Sequence, residues 1–305
     1  MQKYKSLIID GNNFLFRAYY GKGRTPRMVN EVNVAPGCAF LHQLKELVTR
    51  HESENIYMAW DQKTTLTPDN YRSKLVDYKG QRVESEEKIA LKAYINHLQP
   101  FMDALGVVTV RPHDLEADDV IAFFAFKEQD SALIVSSDKD LMQLVTPKVH
   151  VYQPLTGLVV TPENFEEAAS VPQQHFVLFK AIMGDKSDNI PGIPKYGPVH
   201  SKRLAGEIME GRNNNIKLPL PPEHAMIIER NIRIMNLKYA RKTCPEEYQR
   251  YEDQFRNSEA VFDAEVLKDL FRVFGMHDCL SSFGTWNRLF NRRNDNYDLL
   301  SMISM

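Results

Sequence analysis

The sequence predicts an α/β protein in which a central, mostly parallel sheet is flanked by helices and followed by a helical C-terminal region. Three observations carry that prediction. Short, almost wholly apolar runs recur at Ser6–Ile9, Ile56–Trp60, Val107–Val110, Ala132–Val135 and Val149–Tyr152, each bounded by turn or acidic residues. Strands without polar alternation are buried on both faces, as in a parallel sheet. The segments between them are longer and carry helical spacing, so strand and helix alternate. Beyond Thr161 helical patterning takes over, which predicts a core over residues 1–160 and a helical region over 161–305.

Taken in order, Leu41, Leu44, Leu47 and Val48 make one face of a helix between the first two strands, and Val120, Phe123 and Phe124 a face of the helix before the fourth. Thr161, Pro162 and Glu163 read as the cap and first turn of a helix. Gly211–Asn215 and Leu218–Pro222 read as a loop. With 43% apolar and 26% charged residues in 305, the chain has an ordinary globular composition, which excludes collagen-like, disordered and coiled-coil classes. No stretch approaches the ~18 to 20 apolar residues of a membrane span. Met1–Lys5 runs straight into a strand, unlike a signal peptide, so a cytoplasmic protein is expected. Cys38, Cys244 and Cys279 are far apart and form no CxxC pair, so neither a disulfide framework nor a thiolate metal site is expected. Gly21-Lys22-Gly23 lacks the third glycine of a dinucleotide loop.

The net charge of −2 hides two unlike parts. Between Ile190 and Cys244 ten Lys and Arg stand against four Glu, a net +6, so the rest of the chain carries −8. A basic module beside an acidic one suits a polyanion held by the first and presented to a cation-loaded second.

The acids themselves fall in a pattern. Asp10 ends the first strand, Asp61 follows the second, and Asp138 and Asp140 follow the fourth; Asp114 reads as the cap of a helix whose first turn carries Glu116, Asp118 and Asp119. In an open α/β sheet the carboxyl ends of the strands form one edge, where ligands bind. Two like charges ~4 Å apart repel by about 1 kcal/mol in water and about 4 at an effective dielectric of 20. A convergence of this size therefore calls for a counterion. With no HExxH and nine dispersed histidines, the hard, oxygen-preferring Mg²⁺ or Mn²⁺ is the expected metal. Two such ions are the usual device for cleaving a phosphodiester. Further on, Gly184-Asp185-Lys-Ser-Asp188-Asn-Ile-Pro-Gly192 adds two acids and leads into a Gly-rich turn whose backbone amides suit a phosphate.

These residues resemble a known family, the 5′-nucleases: flap endonucleases and 5′→3′ exonucleases related to the N-terminal domain of bacterial DNA polymerase I. The carriers are Ile8-Ile9-Asp10-Gly-Asn, Tyr71-Arg72-Ser-Lys-Leu-Val-Asp-Tyr78-Lys79-Gly-Gln-Arg82, Glu116-Ala-Asp118-Asp119, Ser136-Ser137-Asp138-Lys-Asp140, and the Gly184–Gly192 segment, across residues 4 to 245. The resemblance implies a PIN-like fold with a helical arch over about residues 64–100 and a helix-turn-helix module over about 176–245. It implies two Mg²⁺ ions, with Mn²⁺ able to substitute. Asp61, Glu116, Asp118 and Asp138 would serve mainly one, Asp140, Asp185 and Asp188 the other, with Asp10 and Asp119 acting partly through water. Lys79 and Arg82 match the basic pair that stabilises developing charge, and Tyr78 the residue that stacks a base. Arg72, Lys180, Gly192, Lys195, Gly197, Ser201, Lys202 and Arg203 would contact DNA, with a K⁺ ion at the helix-turn-helix module. Where relatives carry Gly-x-Lys-Thr-Ala, this chain reads Gly197-Pro198-Val199-His200-Ser201; Val199 stands at the lysine position.

The implied activity is Mg²⁺-dependent cleavage of 5′ flaps or RNA primers in replication or repair. Branched or flapped DNA and RNA–DNA hybrids are the implied partners of a monomeric enzyme. The Arg288–Met305 tail, with Arg292-Arg293 followed by Tyr297–Met305, reads first as a frayed terminus, with a contact for a replication protein as the alternative. An RNA-processing ribonuclease with the same acidic site and a non-catalytic DNA-binding protein stay open as alternatives.

Overall fold

A computed structural model describes residues 3–61, 70–81, 85–127, 130–214, 219–257 and 261–291. Its centre is a six-stranded sheet in the order Val108–Val110, Asn55–Ala59, Ser6–Asp10, Ala132–Val135, Val149–Gln153, Leu158–Val160. All pairings are parallel except the last. The five expected strands are present. The sixth is a short return strand after a turn at Gly157 (φ +72°), its Leu158 exposed. Three residues at an edge carry too little pattern to read as a strand.

Burial follows the alternation of a strand covered on both sides. In the first strand Ile8 faces one core cluster while Leu7 and Ile9 face the other, and Ile134 and Leu133 divide in the same way. The first cluster holds Val120, Phe123 and Phe124 of helix Ala117–Lys127 together with Phe176 and Phe179 of helix Phe176–Met183 and Leu204 and Ala205 of helix Pro198–Asn213. The second holds Leu41, Leu44, Leu47 and Val48 of helix Ala35–Arg50, and Leu98 and Phe101 of helix Glu86–Ala104. It also takes in Leu267 and Phe271 of helix Ala264–Val273 and, from the helical residues 283–291, Trp286 and Phe290. The chain's last described helices thus return to the α/β core. Arg288 belongs to this packed segment, and the tail from Arg292 lies outside the described residues.

Two local expectations are corrected. The helix after Thr161 is only Phe165–Ala169; the Asn164 side chain bonds the Thr161 N–H and the Val159 carbonyl, which ends the strand instead of starting a helix. Gly211–Asn213 completes helix Pro198–Asn213, and Pro222 opens helix Pro222–Met235, so the loop is shorter than its composition suggests. Asp114 pairs with His113 at 2.9 Å. The first turn of helix Ala117–Lys127 is held by Asp61, which accepts the Ala117 N–H at 2.9 Å, and by Asp119, which reaches back to the Glu116 N–H at 3.1 Å, half of a capping box. All three cysteines are free, and among the described residues no helix is long and apolar enough to cross a membrane.

Candidate metal centre and nucleic-acid interface

The strand order reverses between Ser6–Asp10 and Ala132–Val135: the chain winds outward on one side of this pair and then on the other. A crevice opens at the carboxyl ends at such a switch point. There a cleft of about 450 Å³ is lined by Asp10, Asp61, Glu116, Asp118, Asp138, Asp140, Asp185 and Asp188, with Tyr78, Lys79 and Lys180. Eight of the nine acids expected as ligands are brought together. Each is aimed by local structure. Asp10 caps helix Gly11–Ala18 through the Asn13 N–H, at 3.0 Å, and its other oxygen accepts the Ser136 hydroxyl at 2.7 Å. Asp138 caps the short 3₁₀ helix Lys139–Leu144, accepting the Asp140 N–H. Asp185 and Asp188 sit on a tight turn between Gly184–Asp185 and Ile190–Pro191, paired antiparallel.

That turn depends on glycine at two positions. Gly184 ends helix Phe176–Met183 at φ +74°, and a Cβ there would lie 2.3 Å from the Gly192 nitrogen; a Cβ on Gly192 would lie 2.2 Å from the Met183 carbonyl oxygen. Gly192 is thus a packing residue, not a phosphate cradle. Gly197, with open space around it, precedes the helix Pro198–Asn213 as expected of a phosphate-facing turn.

The electrostatics are those of acids short of cations. Burial, with Asp61 and Asp138 nearby, pushes the Asp10 carboxyl up to about 7 against the pull of its two hydrogen bonds. Burial, then Asp138 and Asp10, raise Asp118 well above the carboxylate range, and burial lifts Asp140 to about 6. Glu116 behaves oppositely: burial opposes its charge, but Lys79 and Arg72 outweigh burial and hold it down to about 2. The Lys79 ammonium pairs with Glu116 and lies 4.0 Å from Asp188, while the Lys79 backbone N–H donates to the Asp188 carbonyl at 2.9 Å. Tyr78 forms part of the wall, its hydroxyl 2.8 Å from Glu116 and 3.2 Å from Asp188. Carboxylates that share one polar cleft, several of them raised by burial, are a donor set that fits hard divalent cations. A separate trio, His113, Asp114 and Glu247, also brings its ligand atoms together. Its Glu247 is already paired with Arg250 at 2.9 Å.

Four expected contacts are corrected by burial. Asp119 is wholly buried and grips Arg72 with both oxygens, 2.7 Å each, so it is an internal counterion and not a ligand. Arg72, only 2% exposed, cannot reach DNA. Lys180 points into the cleft, 2.9 Å from Asp140 and 3.0 Å from Asp185, instead of toward a duplex. Ser201 is buried with its hydroxyl unbonded. Lys195 and Arg203 are exposed and Lys202 half-buried, as an interface requires. Arg82 lies outside the described residues, as do residues 64–69 and 82–84 of the expected arch; residues 70–81 are turns, and from Glu86 the segment is helix Glu86–Ala104.

The sequence reading missed the residues that hold the acids. Ser136 bonds Asp10 and accepts the Asp138 N–H at 3.0 Å, Asn12 accepts the Asp61 N–H at 2.8 Å, and Asn13 accepts the Ser137 N–H at 3.1 Å. Their signal was adjacency to the aspartates in Asp10-Gly-Asn-Asn and Ser-Ser-Asp138.

Among known proteins, the family described as the N-terminal resolvase-like domain of 5′-3′ exonuclease matches residues 5–170. A 5′-3′ exonuclease of Buchnera aphidicola (subsp. Schizaphis graminum) is 31% identical over 204 residues, 64% of this chain and 68% of that one. The DNA polymerase I of Streptococcus pneumoniae strain R6 is 32% identical over 229 residues, 71% of this chain and 25% of the polymerase. The chain therefore spans about two-thirds of the separate exonuclease and a quarter of the polymerase. In fold it is similar to bacteriophage T5 5′-exonuclease with bound zinc, at a TM-score of 0.64 and 20% identity over 85% of this chain and all of that one. It is also similar to the T5 flap endonuclease in a pseudo-enzyme-product complex with DNA and metal ions, at 0.60 and 19% over 90% of this chain and all of that one. The topology, the acidic cleft at the switch point and the family match over more than half of the chain agree: this chain belongs to the 5′-3′ exonuclease family.

Proposed function

We propose that the protein is a Mg²⁺-dependent, structure-specific 5′-nuclease that hydrolyses phosphodiesters of 5′ flaps or RNA primers. The observation that carries this reading is the meeting of eight carboxylates and three lysines in one cleft at the sheet's carboxyl edge. Asp61, Glu116, Asp118 and Asp138 would hold one ion and Asp140, Asp185 and Asp188 the other, with Asp10 in contact partly through water. Such ions activate a water and neutralise charge on the attacked phosphate and the leaving oxygen. The chain's own residues do the rest. Ser136 and the Asn13 N–H orient Asp10. Lys79, anchored by Glu116, offers a donor to negative charge that grows as the phosphodiester breaks. Tyr78 gives the cleft an aromatic wall for a base. Lys195, Lys202 and Arg203 are the proposed contacts to duplex phosphates, and the unbonded Ser201 hydroxyl is an available ligand for a K⁺ ion at that turn.

Branched DNA and RNA–DNA hybrids are the proposed substrates of a cytoplasmic monomer, and a replication protein is the proposed partner of the C-terminal tail. A 5′-end-labelled flap incubated with Mg²⁺, its products sized on a gel, tests the reading. Short 5′ products that vanish with EDTA and with Asp138→Asn support it. Binding without cleavage would favour a non-catalytic DNA-binding protein, and cleavage of single-stranded RNA in preference to the flap would favour an RNA-processing enzyme.

A further inference from the structure

Arg72 is among the largest fully buried side chains of the molecule, and it stands where three segments meet. It belongs to residues 70–81. Its two terminal nitrogens donate to both oxygens of Asp119, in the first turn of helix Ala117–Lys127, and its Nε donates at 2.9 Å to the Ile234 carbonyl in the last turn of helix Pro222–Met235. A planar fork with a third donor at its base is a geometry only arginine supplies. Arg72 lies in the wall of the cleft, and the pair reaches the cleft's acids through Glu116. Asp119 fixes the Glu116 backbone, Arg72 lies 3.5 Å from the Glu116 carboxylate, and that carboxylate in turn receives Tyr78 and Lys79. The guanidinium also lies 6.0 Å from the centre of the Tyr78 ring.

We propose that the buried Arg72–Asp119 pair is a positioning unit for the nuclease reaction. It sets Glu116, Tyr78 and Lys79 in register with helix Pro222–Met235, so that the helical region and the cation-holding acids move as one body. The proposal rests on the nuclease reading above. Folding alone does not require an ion pair here, because an apolar pair of similar volume is often neutral or stabilising in a buried site. That fact separates positioning from structure.

The experiment compares wild type, Arg72→Met/Asp119→Leu and Arg72→Lys by thermal melting, by binding of a fluorescein-labelled 5′ flap in EDTA, and by cleavage across a Mg²⁺ series. The double variant is expected to melt within a few degrees of wild type and to bind the flap within about twofold. Its kcat should nevertheless fall at least thirtyfold, and its half-saturating Mg²⁺ concentration should rise at least fivefold. Arg72→Lys, which keeps the charge and loses the fork, should show the same split more weakly. A folded double variant with wild-type kcat and Mg²⁺ dependence overturns the proposal. If that variant does not fold, Arg72→Lys decides, and unchanged kcat and Mg²⁺ dependence in it overturn the proposal equally. Failure of wild type to cleave at any Mg²⁺ concentration sinks the nuclease reading and this proposal with it.

Discussion

Lys180 shows what a single side chain does in a cleft short of cations. It lies within 3.0 Å of both Asp140 and Asp185, and although burial works against its charge, the two carboxylates raise its pKa above the ordinary lysine value. An ammonium in that position competes with a divalent cation for the same oxygens. Lys180→Met should therefore tighten Mg²⁺ binding by about tenfold, a difference of about 1.4 kcal/mol, read by calorimetric titration of the substrate-free protein. Weaker Mg²⁺ binding in the variant would show that Lys180 orients the acids and does not compete with the metal. At this scale sequence and structure diverge most. Asp119 and Arg72 sit within acidic and basic motifs that read as ligand and DNA contact, yet they satisfy each other inside the protein. Burial is a property of packing, and residue type and spacing do not reveal it.

At the scale of an element, the turn joining helices Phe176–Met183 and Pro198–Asn213 is held by backbone contact at Gly192. A Cβ there meets the Met183 carbonyl at 2.2 Å, whereas one at Gly197 meets nothing within 4 Å. Gly192→Ala forces backbone apart, and overpacking of this kind costs about 1 to 3 kcal/mol. It should lower the melting temperature and, by displacing the Asp185–Asp188 turn, weaken Mg²⁺ binding. Gly197→Ala should leave both unchanged. A chemical denaturation series on the two variants checks the contrast, and equal stability would contradict the packing role. The exposed Lys195 and Arg203 test the interface on the same element. Each replaced by Ala should reduce the salt slope of duplex binding by roughly one unit without altering sequence preference.

For the whole molecule the cleft couples stability to pH. The Asp10 carboxyl is raised to about 7 and Asp140 to about 6, so without metal the folded protein binds more protons than the unfolded chain between the ordinary carboxylate range and neutrality. Their contribution is complete below about pH 4 and is lost as pH rises toward 7. Glu116, held down to about 2, has the opposite sign: its contribution is present above the ordinary glutamate value and is lost on acidification. In EDTA the melting temperature should thus fall by several degrees between pH 5 and pH 7.5. Mg²⁺ should restore it at pH 7.5 by binding the folded state, beyond the effect of NaCl at equal ionic strength. A pH-independent melt in EDTA would mean that the acids are neutralised from within.

The sequence by itself determined the sheet and the edge that carries the chemistry. Runs such as Ser6–Ile9 and Ala132–Val135 have no polar face to expose, so they pair in parallel and bury both sides, and aspartates that follow such runs must gather at the carboxyl edge. Of the nine acids it pointed to, eight line one cleft. Only the tertiary structure decided which charged groups remain available to a cation or a nucleic acid. Asp119 and Arg72 neutralise each other, Lys180 turns inward, and Ser136 joins two strands through one hydroxyl. Helix Ala264–Val273 packs against helix Glu86–Ala104 through Phe271 and Phe101, and Trp286 and Phe290 pack in turn against Phe271 and Phe262. Local pattern fixes which face of an element is apolar. Which partner covers that face, and which charges are shut in when it is covered, depends on residues brought in from elsewhere in the chain, 47 positions away for Arg72 and Asp119 and 126 for Asp10 and Ser136.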